Sequence, residues 1–289
     1  MQKRIKAYIK LMRPEHYIKN FLLALPAFFA GNMFAVNTLV WLVFGFLAFS
    51  FAASTVYILN DIKDVEKDRQ HEVKKNRPIA SGLVSCQEAA LLGALLFFLS
   101  QAIVFFMVHN LFHPANILLI LYLLINILYS FGLKNKPILD VMILATGFVL
   151  RVLFGGLIID CIVSQWLCLT IMMFSLYMGL GKRRNELRKL SGENTREVLA
   201  FYSESFLNGT MLMSKTLGVM FYSLWSALVV SKNNYMIWTV PLVLAILMKY
   251  ELDIEGDSFG DPVEVLLSDK VLFLLAVLYV IAVMWIELG

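Results

Sequence analysis

The amino-acid sequence predicts an all-α, polytopic membrane protein with about nine transmembrane helices. Of its 289 residues, 60% are hydrophobic, and the mean hydropathy is +0.74. In a soluble globular protein roughly half of the residues are apolar. The apolar residues here come in runs of about 20, and a helix of that length crosses the hydrocarbon core of a bilayer. These observations exclude an ordinary soluble globular domain.

The apolar runs define the predicted spans in chain order. A run ends where charged residues, proline or glycine interrupt it, and the third span begins with a predicted capping box formed by Ser85 and Glu88. The nine predicted spans are 18–36, 38–59, 87–109, 115–133, 138–159, 163–181, 209–230, 235–250 and 270–288.

Residues 1–19 precede the spans and are predicted to form an interfacial helix. Ile5, Tyr8, Ile9 and Met12 recur at i, i+3, i+4 and i+7 with lysines between them, a pattern typical of a helix lying in a membrane surface. No small-residue cleavage site follows, so a cleaved signal is not expected. No soluble domain is evident, and residues 1–289 are predicted to form a single integral membrane domain.

Lysine and arginine set the predicted orientation. If the N-terminus is cytoplasmic, all but two of the 25 basic residues fall at the cytoplasmic side. The exceptions are Arg151, inside a span, and Lys232, in an outer loop. We therefore predict a cytoplasmic N-terminus. The net charge of +4 comes from these basic residues at the cytoplasmic side, which would face an anionic lipid surface. No nucleic-acid partner is expected.

The densest group of charges follows the second span. If that span continues as a helix, Asp61, Asp64 and Asp68 fall at i, i+3 and i+7 on one face, and Asn60 borders it. Carboxylates stacked in this way repel one another unless a cation lies between them. Mg²⁺ accepts one or two carboxylates and fills its other positions with water and phosphate oxygens. We therefore predict a Mg²⁺ site with these four residues as ligands; the alternative is a solvated charged loop.

Basic residues near the acidic stretch are predicted to bind phosphates. Lys74 and Arg77 follow within a few turns, and Lys134 lies in the next cytoplasmic loop. Pro78 is expected to end the helix, because proline lacks the N–H donor. Ahead of the first span, three polar residues are either membrane anchors or site residues: Arg13, Lys19 and Asn20.

Two charges lie within the fifth predicted span. Asp140 is near the cytoplasmic end, and Arg151 is eleven residues further, about three turns deeper on roughly the same face. Charged side chains within a span are costly unless they face a polar cavity. Both residues are therefore predicted to line one.

Two more charged loops follow the sixth and eighth spans. Lys182 and Glu186 form an i, i+4 pair beside Arg183, and this group either binds phosphate or anchors the helix on the cytoplasmic side. The loop 251–269 is rich in Asp and Glu. A second metal site, a folded lid and a solvated loop are the alternatives there.

The motif Asn60-Asp61-x-x-Asp64-x-x-x-Asp68 at a cytoplasmic helix end resembles the first aspartate motif of the UbiA-type intramembrane prenyltransferase superfamily. That resemblance implies nine transmembrane helices around a central cavity. Other stretches resemble one branch, the decaprenyl-phosphate phosphoribosyltransferases. These are Arg13-Pro14 to Asn20, Tyr57 to Gly82, Gly147 to Arg151, Gly181-Lys182-Arg183, and Asp261-Pro262-Val263-Glu264 with Asp269.

The sequence departs from the ordinary prenyltransferase pattern after the sixth span. Those enzymes carry a second aspartate-rich motif there, whereas this chain has Lys182, Arg183 and Arg184, with Glu186 as the one acid. Cations in place of carboxylates suit substrates that bring extra phosphates. The departure therefore favours the phosphoribosyl branch.

The resemblance implies Mg²⁺-dependent transfer of 5-phosphoribosyl from phosphoribosyl pyrophosphate to a polyprenyl (decaprenyl) phosphate, for a cell-wall arabinan precursor. It also implies the plasma membrane of a bacterium, with a cytoplasmic active site. Asp61, Asp64 and Asp68 would be the catalytic residues. The residues expected at the substrates are Lys19, Asn60, Lys74, Arg77, Lys134, Asp140, Arg151, Lys182, Arg183 and Glu186.

Two other functions remain open at this point. A UbiA-type prenyltransferase would move a polyprenyl chain from its diphosphate to an aromatic or lipid acceptor. A membrane transporter would also carry buried charges, although transporter folds usually show paired halves and none is evident. The oligomeric state is open as well, a homo-oligomer included.

Overall fold

The computed structural model of the chain describes residues 2–189, 196–228, 235–256 and 262–288. Lys232 and the middle of the acidic loop, including Asp261, lie outside these ranges. Within them there are α-helices and short 3-10 helices and no β-strand, which confirms the all-α prediction. The α-helices are α1 Gln2–Met12, α2 Leu25–Phe29, α3 Val36–Lys63, α4 Val65–Gln70, α5 Cys86–Val108, α6 Pro114–Ser130, α7 Leu139–Ile158, α8 Gln165–Lys189, α9 Glu204–Leu228, α10 Val240–Glu255, α11 Pro262–Ser268 and α12 Lys270–Leu288. The 3-10 helices are Pro14–Ala24, Lys74–Asn76, Leu133–Asn135, Glu197–Phe201 and Met236–Thr239.

These helices form two compact units. The first unit comprises Met1–Lys134 and Leu150–Ile162, and it contains α1 to α6 and the second half of α7. The second unit comprises Asn135–Val149 and Val163–Gly289, with the first half of α7 and the helices from α8 onward. Each unit has its own buried apolar cluster.

Several helices have the length and composition of membrane spans. In the part of the chain that the structure describes, α3, α5, α7 and α12 are long and apolar enough to cross a bilayer. Their outward faces are apolar as well: Phe98 on α5 is 68% exposed and Trp285 on α12 is 80% exposed. Apolar surface on this scale favours contact with lipid rather than water. The chain is therefore a helical membrane protein.

The first predicted span is wrong as a single helix over 18–36. The chain forms a 3-10 helix from Pro14 to Ala24 and then only the five residues of α2. Each of these elements has a proline in its first turn, since Pro14 is the first residue of the 3-10 helix and Pro26 is the second residue of α2, and Gly31 in a left-handed conformation follows α2. Proline favours a new helical start and lacks the donor that would continue an existing helix. The predicted interfacial helix also ends earlier than expected, at Met12.

The start of α5 confirms the predicted capping box. The Ser85 hydroxyl accepts a hydrogen bond from the Glu88 backbone N–H, and the Ser85 N–H donates to the Glu88 carboxylate at 2.9 Å. These bonds pair two groups that a helix N-terminus would otherwise leave unpaired. The helix consequently begins at Cys86, one residue before the predicted start of the third span.

Close backbone packing in the first unit depends on Gly155. A Cβ atom at this position of α7 would lie 2.0 Å from the backbone oxygen of Leu23 in the 3-10 helix. Backbone atoms cannot move aside as a flexible side chain can. Only glycine therefore permits α7 and the 3-10 helix to approach this closely.

Gly155→Ala is expected to destabilise the protein by about 1–3 kcal/mol, because the added methyl group overpacks this contact. Thermal unfolding in detergent measures the effect. Gly209→Ala is the matched control, since nothing lies within 4 Å of a Cβ at Gly209 of α9. Equal stability of the two variants would contradict the close packing at Gly155.

Candidate active site

The acidic motif of the first unit does not form the continuous helix that the sequence predicted. Helix α3 ends at Lys63, Asp64 adopts φ −91° and ψ 9°, and α4 begins at Val65. Aspartate is a weak helix former, because its short side chain competes for nearby backbone groups. After this break, Asp61 and Asp68 contact the same basic side chain, whereas Asp64 contacts a different one.

Asp61 and Asp68 converge on one cation. The Arg77 Nη1 atom donates to Asp61 Oδ1 at 3.1 Å and to Asp68 Oδ2 at 2.7 Å. Arg13 Nη2 donates to the same Asp61 oxygen at 2.6 Å. The two carboxylates are buried, with 2% and 4% of their residue surfaces exposed. The fold thus brings together Arg77 and two of the predicted metal ligands.

Asp64 has a different partner. Lys134 Nζ, at the 3-10 turn after α6, donates to Asp64 Oδ2 at 2.7 Å. Asn60 is half-buried one turn before Asp64, whose backbone N–H donates to the Asn60 carbonyl at 2.9 Å. Every aspartate of the motif is therefore paired with a basic side chain.

The carboxylate pair fits a divalent cation. Asp61 Oδ1 and Asp68 Oδ2 both contact Arg77 Nη1, at 3.1 and 2.7 Å. The distance between the two carboxylate oxygens therefore cannot exceed the sum of these two contact distances. Only modest movement brings them to the Mg–O distance of about 2.1 Å, and their oxygens are the hard ligands that Mg²⁺ prefers. Among the described residues, no three His, Cys, Asp or Glu side chains are already grouped to hold a metal. Arg77 Nη1 contacts both oxygens, so a cation binding between them would require Arg77 to move.

Arg151 lies in a buried polar and aromatic cluster of the first unit. Its Nε donates to Asn20 Oδ1 at 2.8 Å, and its Nη2 donates to the Tyr122 hydroxyl at 3.2 Å. The guanidinium group also lies over the rings of Phe49 and Tyr122, at 5.0 and 5.1 Å from their centroids. A guanidinium over aromatic faces is stabilised electrostatically. The cluster explains how a cation is held inside a span.

In the second unit, Arg183 is held between two carboxylates. Its Nε donates to Asp140 Oδ2 at 2.7 Å, and its Nη1 donates to Glu186 Oε2 at 3.0 Å. Asp140 is fully buried, and Arg183 is 1% exposed. Glu186 also pairs with Arg196 at 3.3 Å. Three predicted site residues therefore come together here, in an ion-pair network.

Tyr202 completes the surroundings of Asp140. Its hydroxyl donates to Asp140 Oδ1 at 2.5 Å and accepts from the Ile138 N–H at 2.6 Å. Burial and this bond to Asp140 raise the pKa of Tyr202 to about 12, so the hydroxyl is protonated at neutral pH. Ile138 has φ 71°, an uncommon conformation for a β-branched residue. The Tyr202 hydroxyl stabilises the turn before α7.

The remaining predicted binding residues differ in exposure. Lys74 is exposed in the 3-10 helix after α4. Lys19 is half-buried in the first 3-10 helix, and Lys182 is half-buried on α8 beside Arg183. All three remain predicted substrate-binding residues.

The acidic stretch 251–269, whose first residues form the end of α10, shows ion pairs in its described part. Lys249 pairs with both Asp253 and Asp269, the latter at 2.8 Å. The hydrogen bond from Lys249 lowers the pKa of Asp269. Glu251 accepts hydrogen bonds from Lys215 and Tyr177, each at 2.7 Å. Within the described residues these carboxylates pair with cations rather than with one another.

Sequence reasoning missed two tyrosines of these clusters. Tyr202 is 62 positions from Asp140 and Tyr122 is 29 positions from Arg151, and neither belongs to a charged motif. The sequence allows Arg13 to be either a membrane anchor or a site residue, and its bond to Asp61 supports the second alternative. A buried aspartate or arginine does signal that a hydrogen-bonding partner exists, although not which residue provides it.

A family model and individual relatives both match most of this chain. A model of the UbiA prenyltransferase family matches residues 21–257. A decaprenyl-phosphate phosphoribosyltransferase of Mycolicibacterium smegmatis is 34% identical, over 94% of this chain and 89% of the relative. The enzyme of the same description from Corynebacterium glutamicum is 33% identical, over 95% of this chain and 85% of the relative.

Solved structures share the fold. A UbiA homologue from Archaeoglobus fulgidus bound to GPP and Mg²⁺ has a TM-score of 0.72 and 18% identity, covering 98% of this chain and 100% of that one. A structure of digeranylgeranylglyceryl phosphate synthase has a TM-score of 0.69 and covers 99% of both chains. At this level of identity the likeness establishes the architecture.

Proposed function

The chain belongs to the UbiA prenyltransferase family, and we propose that it transfers 5-phosphoribosyl from phosphoribosyl pyrophosphate to decaprenyl phosphate, releasing pyrophosphate. The observation that carries this proposal is the identity of about one third, over nearly the whole chain, to decaprenyl-phosphate phosphoribosyltransferases. The half-buried Lys182 supports it, because a cation at this position suits a substrate with an extra phosphate. The product is proposed to supply a cell-wall arabinan precursor.

The reaction exchanges one bond at the ribose for another. The bond from ribose C1 to the pyrophosphate oxygen breaks, and a bond from C1 to an oxygen of the lipid phosphate forms. A phosphate monoester has its second pKa at about 6, so the attacking group is already an anion near neutral pH. The protein therefore needs no strong general base. Its task is to position the substrates and stabilise the leaving pyrophosphate.

We propose Mg²⁺ as the cofactor, held by Asp61 and Asp68 with Asp64 and Asn60 near it. Family structures contain bound Mg²⁺, and the two buried carboxylates provide its preferred ligands. When bound, the ion supplies positive charge where negative charge develops on the pyrophosphate. Arg77 and Lys134 are the proposed phosphate partners from the same cluster, together with Lys19 and Lys74. Arg151 is proposed to face the substrates from its buried cluster.

The protein is proposed to lie in a bacterial plasma membrane with its N-terminus and active site cytoplasmic. The distribution of lysine and arginine supports this orientation, because cytoplasmic loops of membrane proteins are enriched in both. Phosphoribosyl pyrophosphate, a soluble and highly charged donor, would then reach the site from the cytoplasm, while the lipid phosphate arrives from the membrane.

Incubation of the purified protein with labelled phosphoribosyl pyrophosphate, polyprenyl phosphate and Mg²⁺ tests the proposal directly. The expected result is a labelled lipid whose formation stops when the metal is chelated. A parallel incubation offers a polyprenyl diphosphate and an aromatic acceptor in place of the two substrates. Product from the second incubation alone would overturn the phosphoribosyl assignment in favour of prenyl transfer.

Lys182→Gln is expected to weaken donor binding about ten- to a hundredfold, because a charge-assisted phosphate contact contributes roughly 1.5–3 kcal/mol. Equilibrium dialysis with labelled phosphoribosyl pyrophosphate measures the affinity. Lys189→Gln removes the same charge from the end of the same helix and serves as the control. Unchanged affinity in a normally folded Lys182→Gln protein would leave Lys182 as a membrane anchor only.

A further inference from the structure

The aspartate motif of the first unit is already neutralised by the protein's own cations. Three carboxylates, Asp61, Asp64 and Asp68, pair with three basic side chains: Arg13, Arg77 and Lys134. The formal charge of these six groups is zero. A free divalent cation is therefore attracted to the group much less than to three bare carboxylates.

Metal and arginine compete for the same oxygen atoms. Asp61 Oδ1 accepts from both Arg13 and Arg77, and Asp68 Oδ2 accepts from Arg77. Mg²⁺ holds its ligands at about 2.1 Å in near-octahedral geometry. A dication at that distance from Asp61 Oδ1 and Asp68 Oδ2 repels the guanidinium groups that contact the same oxygens, which favours release of at least one arginine.

The backbone conformation and the aromatic neighbour of Arg13 hold it beside Asp61. Arg13 has φ 54°, outside the usual range for its residue type, at the junction between α1 and the 3-10 helix. Its guanidinium lies 5.1 Å from the centroid of the Tyr57 ring while bonding Asp61, and its side chain is 18% exposed. A strained backbone persists only where its surroundings fix it. The side chain keeps the aromatic contact and access to solvent if it releases the carboxylate.

We propose that Arg13 and Arg77 are placeholder cations: they occupy the carboxylates before the metal binds and move onto the phosphate oxygens that arrive with it. This inference rests on the proposed function, because it requires a donor that carries a diphosphate. A metal alone displaces the arginines and leaves them facing a dication. A metal–diphosphate complex gives them anionic partners at the moment of displacement. Metal and diphosphate therefore bind together rather than independently.

Binding of Mn²⁺, a spectroscopic substitute for Mg²⁺, tests the proposal without any turnover. The free ion is titrated by electron paramagnetic resonance against purified protein in detergent, with and without inorganic pyrophosphate. Retention of labelled pyrophosphate is measured in parallel to separate protein-bound complex from complex in solution. For the wild type we expect at least tenfold tighter Mn²⁺ retention when pyrophosphate is present.

Arg13→Gln should bind Mn²⁺ alone about tenfold more tightly than the wild type and should bind pyrophosphate with Mn²⁺ less tightly. Arg69→Gln is the matched control, because it removes the same charge nearby from a residue that pairs with Glu66 instead. The affinities of Arg77→Gln for Mn²⁺ and for pyrophosphate should change in the same direction as those of Arg13→Gln. The test therefore stays decisive if one of the two variants fails to fold.

Two outcomes would overturn the proposal. One is wild-type protein that binds Mn²⁺ equally well with and without pyrophosphate. The other is an Arg13→Gln or Arg77→Gln protein that binds Mn²⁺ alone no better than Arg69→Gln. If the wild type forms labelled phosphoribosyl lipid while either outcome is observed, the proposed function stands and only the placeholder role is lost.

Discussion

Asp61→Asn is expected to lower turnover at least a hundredfold while leaving the protein folded. The substitution keeps the shape of a residue that is 2% exposed and removes the negative charge that would hold the metal. Charge stabilisation that develops mainly in the transition state typically contributes about 10²- to 10³-fold in rate. Arg77 retains Asp68 as its partner, and Arg13 retains the Tyr57 ring, so both cations keep stabilising contacts.

The measurement is the initial rate of labelled lipid formation at saturating donor, with thermal unfolding as a check on folding. Glu66→Gln is the control: it removes a carboxylate from the same segment, but Glu66 is exposed and pairs only with Arg69 among the described contacts. Asp68→Asn is expected to approach the loss of Asp61→Asn, because both carboxylates bond to Arg77 Nη1. Wild-type turnover by a folded Asp61→Asn protein at ordinary Mg²⁺ would remove the metal assignment.

The sequence predicts the membrane helices well because hydropathy is a local property. Predicted spans 87–109 and 138–159 differ from α5 and α7 by one residue at each end. The capping box at Ser85 is equally local, since both partners lie within one turn. Each of these features depends on residues that are adjacent along the chain, so the order of residues alone contains the information.

The site was predicted less completely, because its contacts join distant parts of the chain. The three aspartates were expected on one continuous helical face, yet the break at Asp64 directs that residue to Lys134, 70 positions away. Arg183 is predicted either to bind a phosphate or to anchor its helix, and the structure pairs it with Asp140, 43 positions away. A charge pattern identifies which residues require partners, whereas the folded chain determines which partners they obtain.

Arg183→Gln is expected to destabilise the protein by about 3–5 kcal/mol, because it leaves a fully buried carboxylate without its cation. Asp140 would keep only the Tyr202 hydroxyl among its described partners, and a hydroxyl does not neutralise the charge. This result would make Arg183 a residue that holds α8 to the start of α7 within the second unit. It would not require any contact between Arg183 and a substrate.

A double-mutant cycle of Arg183→Met, Asp140→Leu and their combination separates this structural role from phosphate binding. The double variant removes both charges and should recover much of the stability that each single variant loses, since a buried ion pair replaced by apolar residues is often neutral. Arg188→Gln breaks an exposed pair with Glu204 and should cost less than about 1 kcal/mol. Unfolding in detergent and donor affinity are measured on the same samples. If Arg183→Gln is as stable as Arg188→Gln but loses donor affinity, then Arg183 binds a phosphate and its ion pair with Asp140 contributes little to the fold.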